Sequence, residues 1–335
     1  MKVAAVTGKM QAAVVDRPNP KPKDDIVVVK VLVAPMCTEY HAFENGDAGD
    51  WFGHEAVGEV VEVDKATRVK VGDRVIVQPQ TACGECYLCR TGEYIHCESS
   101  RDLKKITGSE AGRASMGQYV IQSERWLTLI PESMSYDHAS MAGCGLGPTF
   151  GAMQLLNVDA FDTVLITGLG PVGLGGVINA VYRGARVIGV ESNSYRAALA
   201  RELGAEAIID PNDENALQQV RDLTGGIGAD KSIDTSGSEP AKPFLIDATR
   251  RKGGVAFVGW NGQVNVSSVI AKGLSLYGAW HYNMNDTGRL LKMIAETSTQ
   301  LDKLITHRFP LTKIQKAWET QVSGLCGKVL LEPWG

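Results

Sequence analysis

The chain has 335 residues, 44% hydrophobic and 21% charged, with a net charge of −4. That length exceeds what one core usually serves, so roughly two domains are expected. The mildly acidic balance argues against general affinity for nucleic acid, and MKVAAVTGKMQAAVVDRP lacks the apolar stretch of a secretory signal, meeting Asp16 and Pro18 early.

Residues 1–80 read as β. IVVVKVLVAP (26–35) is rich in β-branched residues and bounded by Asp24–Asp25 and Pro35. EAVGEVVEVD (55–64) and DRVIVQP (73–79) read as further strands, and VKVGDRV (69–75) places a Gly-Asp turn between two of them. SMGQYVIQSERWLTLIP (115–131) supplies two more short strands.

Between them, CGECYLCRTGEYIHC sets Cys83, Cys86, Cys89 and Cys97 in one short segment. Thiolates are soft ligands, and four of them close a tetrahedral shell around Zn²⁺, leaving no position for substrate. The cluster therefore reads as structural, a pin for a loop with little core of its own. Iron–sulfur ligation is the alternative, and free or oxidised thiols the bland reading.

From residue 163 strands alternate with helical patterns: TVLITGLG then GLGGVINAVYRG, ARVIGVES then SYRAALARELGA, EAIID then ENALQQVRDLTG. KSIDTSG, GGVAFVGW and LSLYGAW follow as strands, and this rhythm predicts a parallel, doubly wound α/β sheet. The most apolar stretch, Val164–Tyr182, carries five glycines, Pro171 and Asn179, which argue against a membrane span. A soluble, cytoplasmic protein is expected, and in that reducing compartment clustered cysteines bind metal more often than they form disulfides. The C-terminal fifty residues return to helix and strand.

Gly168-Leu169-Gly170-Pro171-Val172-Gly173 follows the first of these strands and opens a helix. The first glycine allows the tight turn, the second lets backbone approach a pyrophosphate, and the third lets helix pack on strand. Pro171 suits the first helical turn. Glu191 ends the next strand, where a carboxylate accepts from the adenosine ribose hydroxyls and repels a 2′-phosphate, so NAD is favoured over NADP. Arg196 lies close by, to flank the adenosine or pair with Glu191. An ordinary tight turn is the competing reading.

Three separate pieces carry further metal-type side chains: Cys37, His54-Glu55, and Cys144. A Cys₂His set with an open fourth position would suit catalytic zinc. Spacing alone does not bring these residues together; a lone cysteine is more often a small hydrophobe, and a lone histidine a satisfied core residue.

GHEAVGEVVEVD (53–64), VKVGDRV (69–75), the four-cysteine lobe, GCGLGPTFGA (143–152), GLGPVG (168–173) and KLITHRFPLTKI (303–314) together resemble the zinc-containing medium-chain alcohol dehydrogenases, of the polyol or sorbitol dehydrogenase kind. The resemblance runs from about residue 25 to the C-terminus. It implies a GroES-like β-rich catalytic domain (1–145 and 285–335, with the zinc lobe at 83–97) and a Rossmann NAD-binding domain (146–284). It implies two zincs per chain: a catalytic one on Cys37, His54 and Cys144, and a structural one on the four clustered cysteines. Glu55 resembles the family glutamate near the catalytic metal.

One segment departs from the family pattern. Where relatives have Cys, one residue, Ser/Thr, Asp, one residue, His, this chain has Cys37-Thr38-Glu39-Tyr40-His41, one residue shorter. Thr38 and His41 then match the family's proton relay and Glu39 its aspartate, with a surface histidine the other reading of His41. Lys328 resembles the C-terminal basic residue that holds pyrophosphate elsewhere.

The implied activity is zinc-dependent hydride transfer between NAD and a secondary alcohol, polyol or sugar. Trp51 and Trp280 are expected to line a pocket between the domains, with core or interface aromatics the plainer reading. Primary or aromatic alcohols are the alternative substrates. The resemblance further implies a homodimer or homotetramer, and Cys326 is expected to be structural. A metal-free, NADPH-dependent reductase of the same superfamily and a non-enzymatic zinc-binding scaffold are the competing functions. The intact second ligand set argues against both, and Glu191 against the reductase.

Overall fold

A computed structural model describes all 335 residues. The chain divides into two compact units: Met1–Cys144 with Asn283–Ala295 and Ile305–Gly335, and Gly145–Tyr282 with Glu296–Leu304.

In the first unit, strands β1 (Lys2–Gly8) and β2 (Gln11–Asp16) form an antiparallel hairpin. Strands β3 (Ile26–Pro35), β4 (Ala56–Glu62), β5 (Arg74–Val77), β6 (Tyr119–Ser123) and β7 (Leu127–Leu129) build a larger sheet. Two strands from the far end of the chain, Ile305–Pro310 and Lys328–Glu332, join it; Lys328–Glu332 lies antiparallel against β3. Side chains alternate across a strand. In β3, Val27, Val29 and Val31 therefore enter the main core with Phe43, Phe52 and Trp318, while Ile26 and Val28 pack with Ile121 on the other face. A strand buried on both faces explains the apolar run, which Lys30 alone interrupts. Cys326 is buried in the main core.

The second unit holds strands β8 (Thr163–Thr167), β9 (Arg186–Val190), β10 (Ala207–Ile209), β11 (Ala229–Asp234), β12 (Thr249–Phe257) and β13 (Ser275–Gly278). All pairings are parallel, in the order β10-β9-β8-β11-β12-β13. Numbered from the start of the unit this is the 3-2-1-4-5-6 order of the dinucleotide-binding fold, whose switch point falls between β8 and β11. Leu165, Ile188, Val220, Leu245 and Val255 are fully buried in its core. With β14 (Ile305–Pro310) and β15 (Lys328–Glu332) the strand count closes at fifteen.

The segment 296–304 departs from the sequence-based boundary. It groups with the parallel-sheet unit because helix Ser298–Leu304 packs on helices Pro171–Tyr182 and Ser194–Glu202 through the fully buried Leu301 and Leu304. No helix is long and apolar enough to cross a membrane.

Candidate active site

β3 ends at Pro35 and delivers Cys37 two residues later, where the Gln321 side chain caps its carbonyl at 3.1 Å. His54 and Glu55 immediately precede β4. Cys144 closes the first continuous stretch of the β-rich unit. The ligand atoms of Cys37, His54, Glu55 and Cys144 all lie within 4.8 Å of one another. His54 Nε2 is 3.2 Å from Cys144 Sγ, and the Cys144 amide donates to Glu55 Oε2 at 2.6 Å.

The imidazole is oriented from behind. Glu39 Oε1 accepts from His54 Nδ1 at 2.7 Å, and Glu39 Oε2 accepts from the Cys37 amide at 3.1 Å. A proton held on Nδ1 leaves Nε2 as the lone-pair donor that a metal needs. The donor set of two thiols, one imidazole and a nearby carboxylate suits zinc.

Electrostatics favour a thiolate here. The hydrogen bond from the Cys144 thiol holds Cys37 well below the ordinary thiol range against the cost of burial, with Lys328 and His54 adding to it. The same pairing, with burial, pushes Cys144 well above that range. Burial opposes charge on His54, yet its hydrogen bonds to Cys37 and Glu39 raise the imidazole well above its usual value. Glu55 is raised by burial, and the Lys328 ammonium opposes the rise.

Lys328 corrects the sequence-based expectation. It is fully buried, with Nζ 3.0 Å from Glu55 Oε1 beneath the ligand cluster, and so is not presented to a phosphate. A lysine opening a strand of buried residues needs a carboxylate inside the protein, and Glu55 provides it. Burial works against its charge, but Glu55 and the two thiols raise its pKa.

Thr38 is exposed, and its carbonyl accepts the His41 amide at 3.1 Å. The His41 ring faces solvent, 3.4 Å from Glu44 and against Tyr40. Trp51 is two-thirds exposed and stacks on Phe52. In the other unit Trp280 is partly exposed and meets Trp260 edge-on.

The second cluster is equally tight: one Sγ each from Cys83, Cys86, Cys89 and Cys97, all within 4.8 Å. Backbone amides of Glu85 and Cys86 point at Cys83 Sγ and lower its pKa to about 6. Cys89, Tyr94, Ile95, Ala82 and Trp126 give the lobe a small core, with Tyr94 stacked on Trp126. The lobe grips a distant segment. Asn283 Nδ2 donates to Thr91 O and to Glu93 Oε1, and the Met284 amide donates to Gly92 O at 2.9 Å.

In the parallel-sheet unit, Gly168 takes φ +77° after β8, and Gly170 precedes helix Pro171–Tyr182 without a side-chain cap. A methyl at Gly170 would meet only Arg196 Nη1, at 4.0 Å, whereas one at Gly173 would strike Gly168 O at 2.1 Å. The space beside Gly170 and the uncapped helix start with Val172 form a cradle that a phosphate fits. Glu191 follows β9 and accepts from the Leu169 amide at 2.7 Å and the Asn193 amide at 2.8 Å. Arg196 Nε is buried without a partner beside this loop. The residues present thus fit a dinucleotide.

Sequence reasoning left one network of this unit unremarked, the buried pair of Asp234 and Lys242.

Comparison with known proteins agrees with both halves of this picture. The alcohol dehydrogenase GroES-like domain model matches residues 23–132, and the zinc-binding dehydrogenase model matches residues 171–296. The chain is 32% identical over 338 residues to D-arabitol-phosphate dehydrogenase of Enterococcus avium, covering 97% of this chain and 95% of that one. It is 28% identical to sorbitol dehydrogenase of Bacillus subtilis (strain 168), covering 99% and 97%. Among solved structures, an alcohol dehydrogenase from Thermus sp. ATN1 shares the fold at a TM-score of 0.89 and 24% identity, with 99% of each chain covered.

Proposed function

The chain belongs to the zinc-binding, medium-chain alcohol dehydrogenases, and from that premise we propose that it transfers a hydride between NAD and a secondary alcohol, polyol or sugar. One observation carries the reading: Cys37, His54, Glu55 and Cys144 converge within 4.8 Å in a chain that also holds a phosphate cradle at Gly170.

Cys37, His54 and Cys144 hold the catalytic zinc, with Glu55 beside them; Cys83, Cys86, Cys89 and Cys97 hold a second, structural one. Bound zinc supplies Lewis acidity that lowers the pKa of an alcohol substrate. The chain's own residues do the rest. Glu39 fixes the His54 ring, and Lys328 keeps a compensating positive charge under Glu55. Thr38 and His41 stand at the solvent side of the ligand loop and pass the substrate proton outward. Gly168, Gly170, Pro171, Val172 and Gly173 receive the pyrophosphate, and Glu191 and Arg196 the adenosine ribose. A carboxylate at Glu191 supports NAD over NADP. The polyol preference draws on the arabitol-phosphate and sorbitol dehydrogenases among the relatives, and on aromatic faces at Trp51 and Trp280, which suit the C–H faces of a sugar. Assembly as a homodimer or homotetramer belongs to the same reading.

The test is a panel of polyols, sugars and simple alcohols assayed by NADH formation, with metal analysis of the purified protein. About two zincs per chain are expected, and 1,10-phenanthroline is expected to abolish turnover. NAD-linked oxidation that survives the chelator would end the zinc reading.

A further inference from the structure

Lys242 stands in the first turn of helix Ala241–Ala248, directly after Pro240. A cation there opposes the helix dipole. This one is also 5% exposed, a burial that lysine rarely reaches without partners. Its ammonium carries three protons, and three acceptors face it: Asp234 Oδ2 at 3.1 Å, Gly259 O at 3.0 Å, and Asn261 O.

Asp234 is the last residue of β11 and has no exposed surface. Its Oδ1 accepts from Thr167 Oγ1 at 3.0 Å, the Ser236 amide at 3.0 Å and Ser236 Oγ at 2.7 Å. Thr167 ends β8, one residue before Gly168. A single buried pair thus ties together the carboxyl ends of β8 and β11 and the loop that follows β12.

Ligands of open parallel sheets sit outside those carboxyl ends, with one mononucleotide on each half of the sheet. Glu191, after β9, marks the adenosine half. The β11 and β12 loops serve the other half. Lys242 is too deeply buried to touch a coenzyme. It spends two donors on the carbonyls of residues 259 and 261, on either side of Trp260. That indole is 77% exposed and meets Trp280 edge-on, with ring centroids 5.1 Å apart. An apolar pair would pack as well as a buried ion pair and often more stably. A charge set against local preference at this point argues for geometry rather than packing.

We propose that Lys242 is a positioning residue for the nicotinamide half of the coenzyme site, acting through the loop Gly259–Asn261. The inference rests on the NAD reading above.

The test compares NADH with ADP-ribose, which keeps the adenosine and pyrophosphate and lacks the nicotinamide. Both are titrated calorimetrically against zinc-loaded, full-length protein. In Lys242→Met the NADH Kd is expected to rise roughly ten-fold or more, with the ADP-ribose Kd within about two-fold of the unmutated value. Tryptophan emission should shift as Trp260 loses its flanking anchors. The double variant Asp234→Asn/Lys242→Met leaves no buried charge unpaired, so it tests the same loss of the carbonyl anchors should the single variant fail to fold; the same split is expected. Equal weakening of both ligands, or none, in a folded variant overturns the proposal. Failure of the unmutated protein to bind either ligand overturns the NAD reading and this inference with it.

Discussion

Glu39 holds His54 by a 2.7 Å hydrogen bond to Nδ1, and its second oxygen reaches the amide of Cys37. The motif here is one residue shorter than the family pattern, and the acid is one methylene longer than the family's aspartate. Matched to that aspartate, the longer side chain would recover the reach that the shorter loop gives up. Glu39→Asp is therefore expected to release one of its two bonds and to lower affinity for the catalytic zinc by about 10–100-fold. Glu39→Gln keeps the length but offers one acceptor to two N–H donors, so it should also lose one of the two bonds. Competition with a chromogenic chelator measures both, and an aspartate variant that retains zinc like the unmutated protein refutes the compensation.

Lys328→Met strips the partner from a carboxylate that is 2% exposed. An uncompensated buried charge of this kind costs roughly 3–5 kcal/mol. Urea unfolding of the zinc-loaded protein should show that loss. A residue that served the pyrophosphate instead would raise the coenzyme KM and leave stability alone, so the two measurements discriminate between the roles.

Gly170→Ala and Gly173→Ala separate binding from folding. The first adds a methyl into open space at an ordinary φ of −63°, so melting temperature should hold while NADH binding weakens by about ten-fold or more. The second drives a methyl against Gly168 O at 2.1 Å, so the protein itself should be destabilised, by about 1–3 kcal/mol. Thermal melts and NADH titration of the pair read both effects; equal behaviour of the two variants contradicts this assignment.

Cys89→Ser opens the four-thiol shell. Zinc per chain should fall from about two to about one, since the other ligand set is untouched. Hydrogen exchange should quicken at Met284, whose amide donates to Gly92 O inside the lobe's grip. Unchanged protection there would show that the lobe holds its shape without metal.

Much of this was legible in the residues. The strand Ile26–Pro35 announces itself through β-branched density, and the turn at Gly168 through its place between strand and helix. The hairpin of β1 and β2 was not legible, because its two-residue turn carries Met10 at φ +57° where glycine or asparagine would have signalled it. The convergence of Cys37, His54 and Cys144 was reached only through resemblance, since spacing carries no information about contacts closed by a whole sheet. Lys328 was misread for the same reason: a basic residue looks alike in sequence whether it faces phosphate or a buried carboxylate. The pair of Lys242 and Asp234 did carry a faint sign, a lysine in a first helical turn where acids are favoured.

Cys144 is the last residue of the first stretch of its unit, and Gly145 the first residue of the other unit. Every ligand of both metal clusters therefore lies on one side of a single peptide bond, and every residue of the phosphate cradle on the other. Exchange of the parallel-sheet unit, Gly145–Tyr282 with Glu296–Leu304, would therefore leave every residue of both clusters in place.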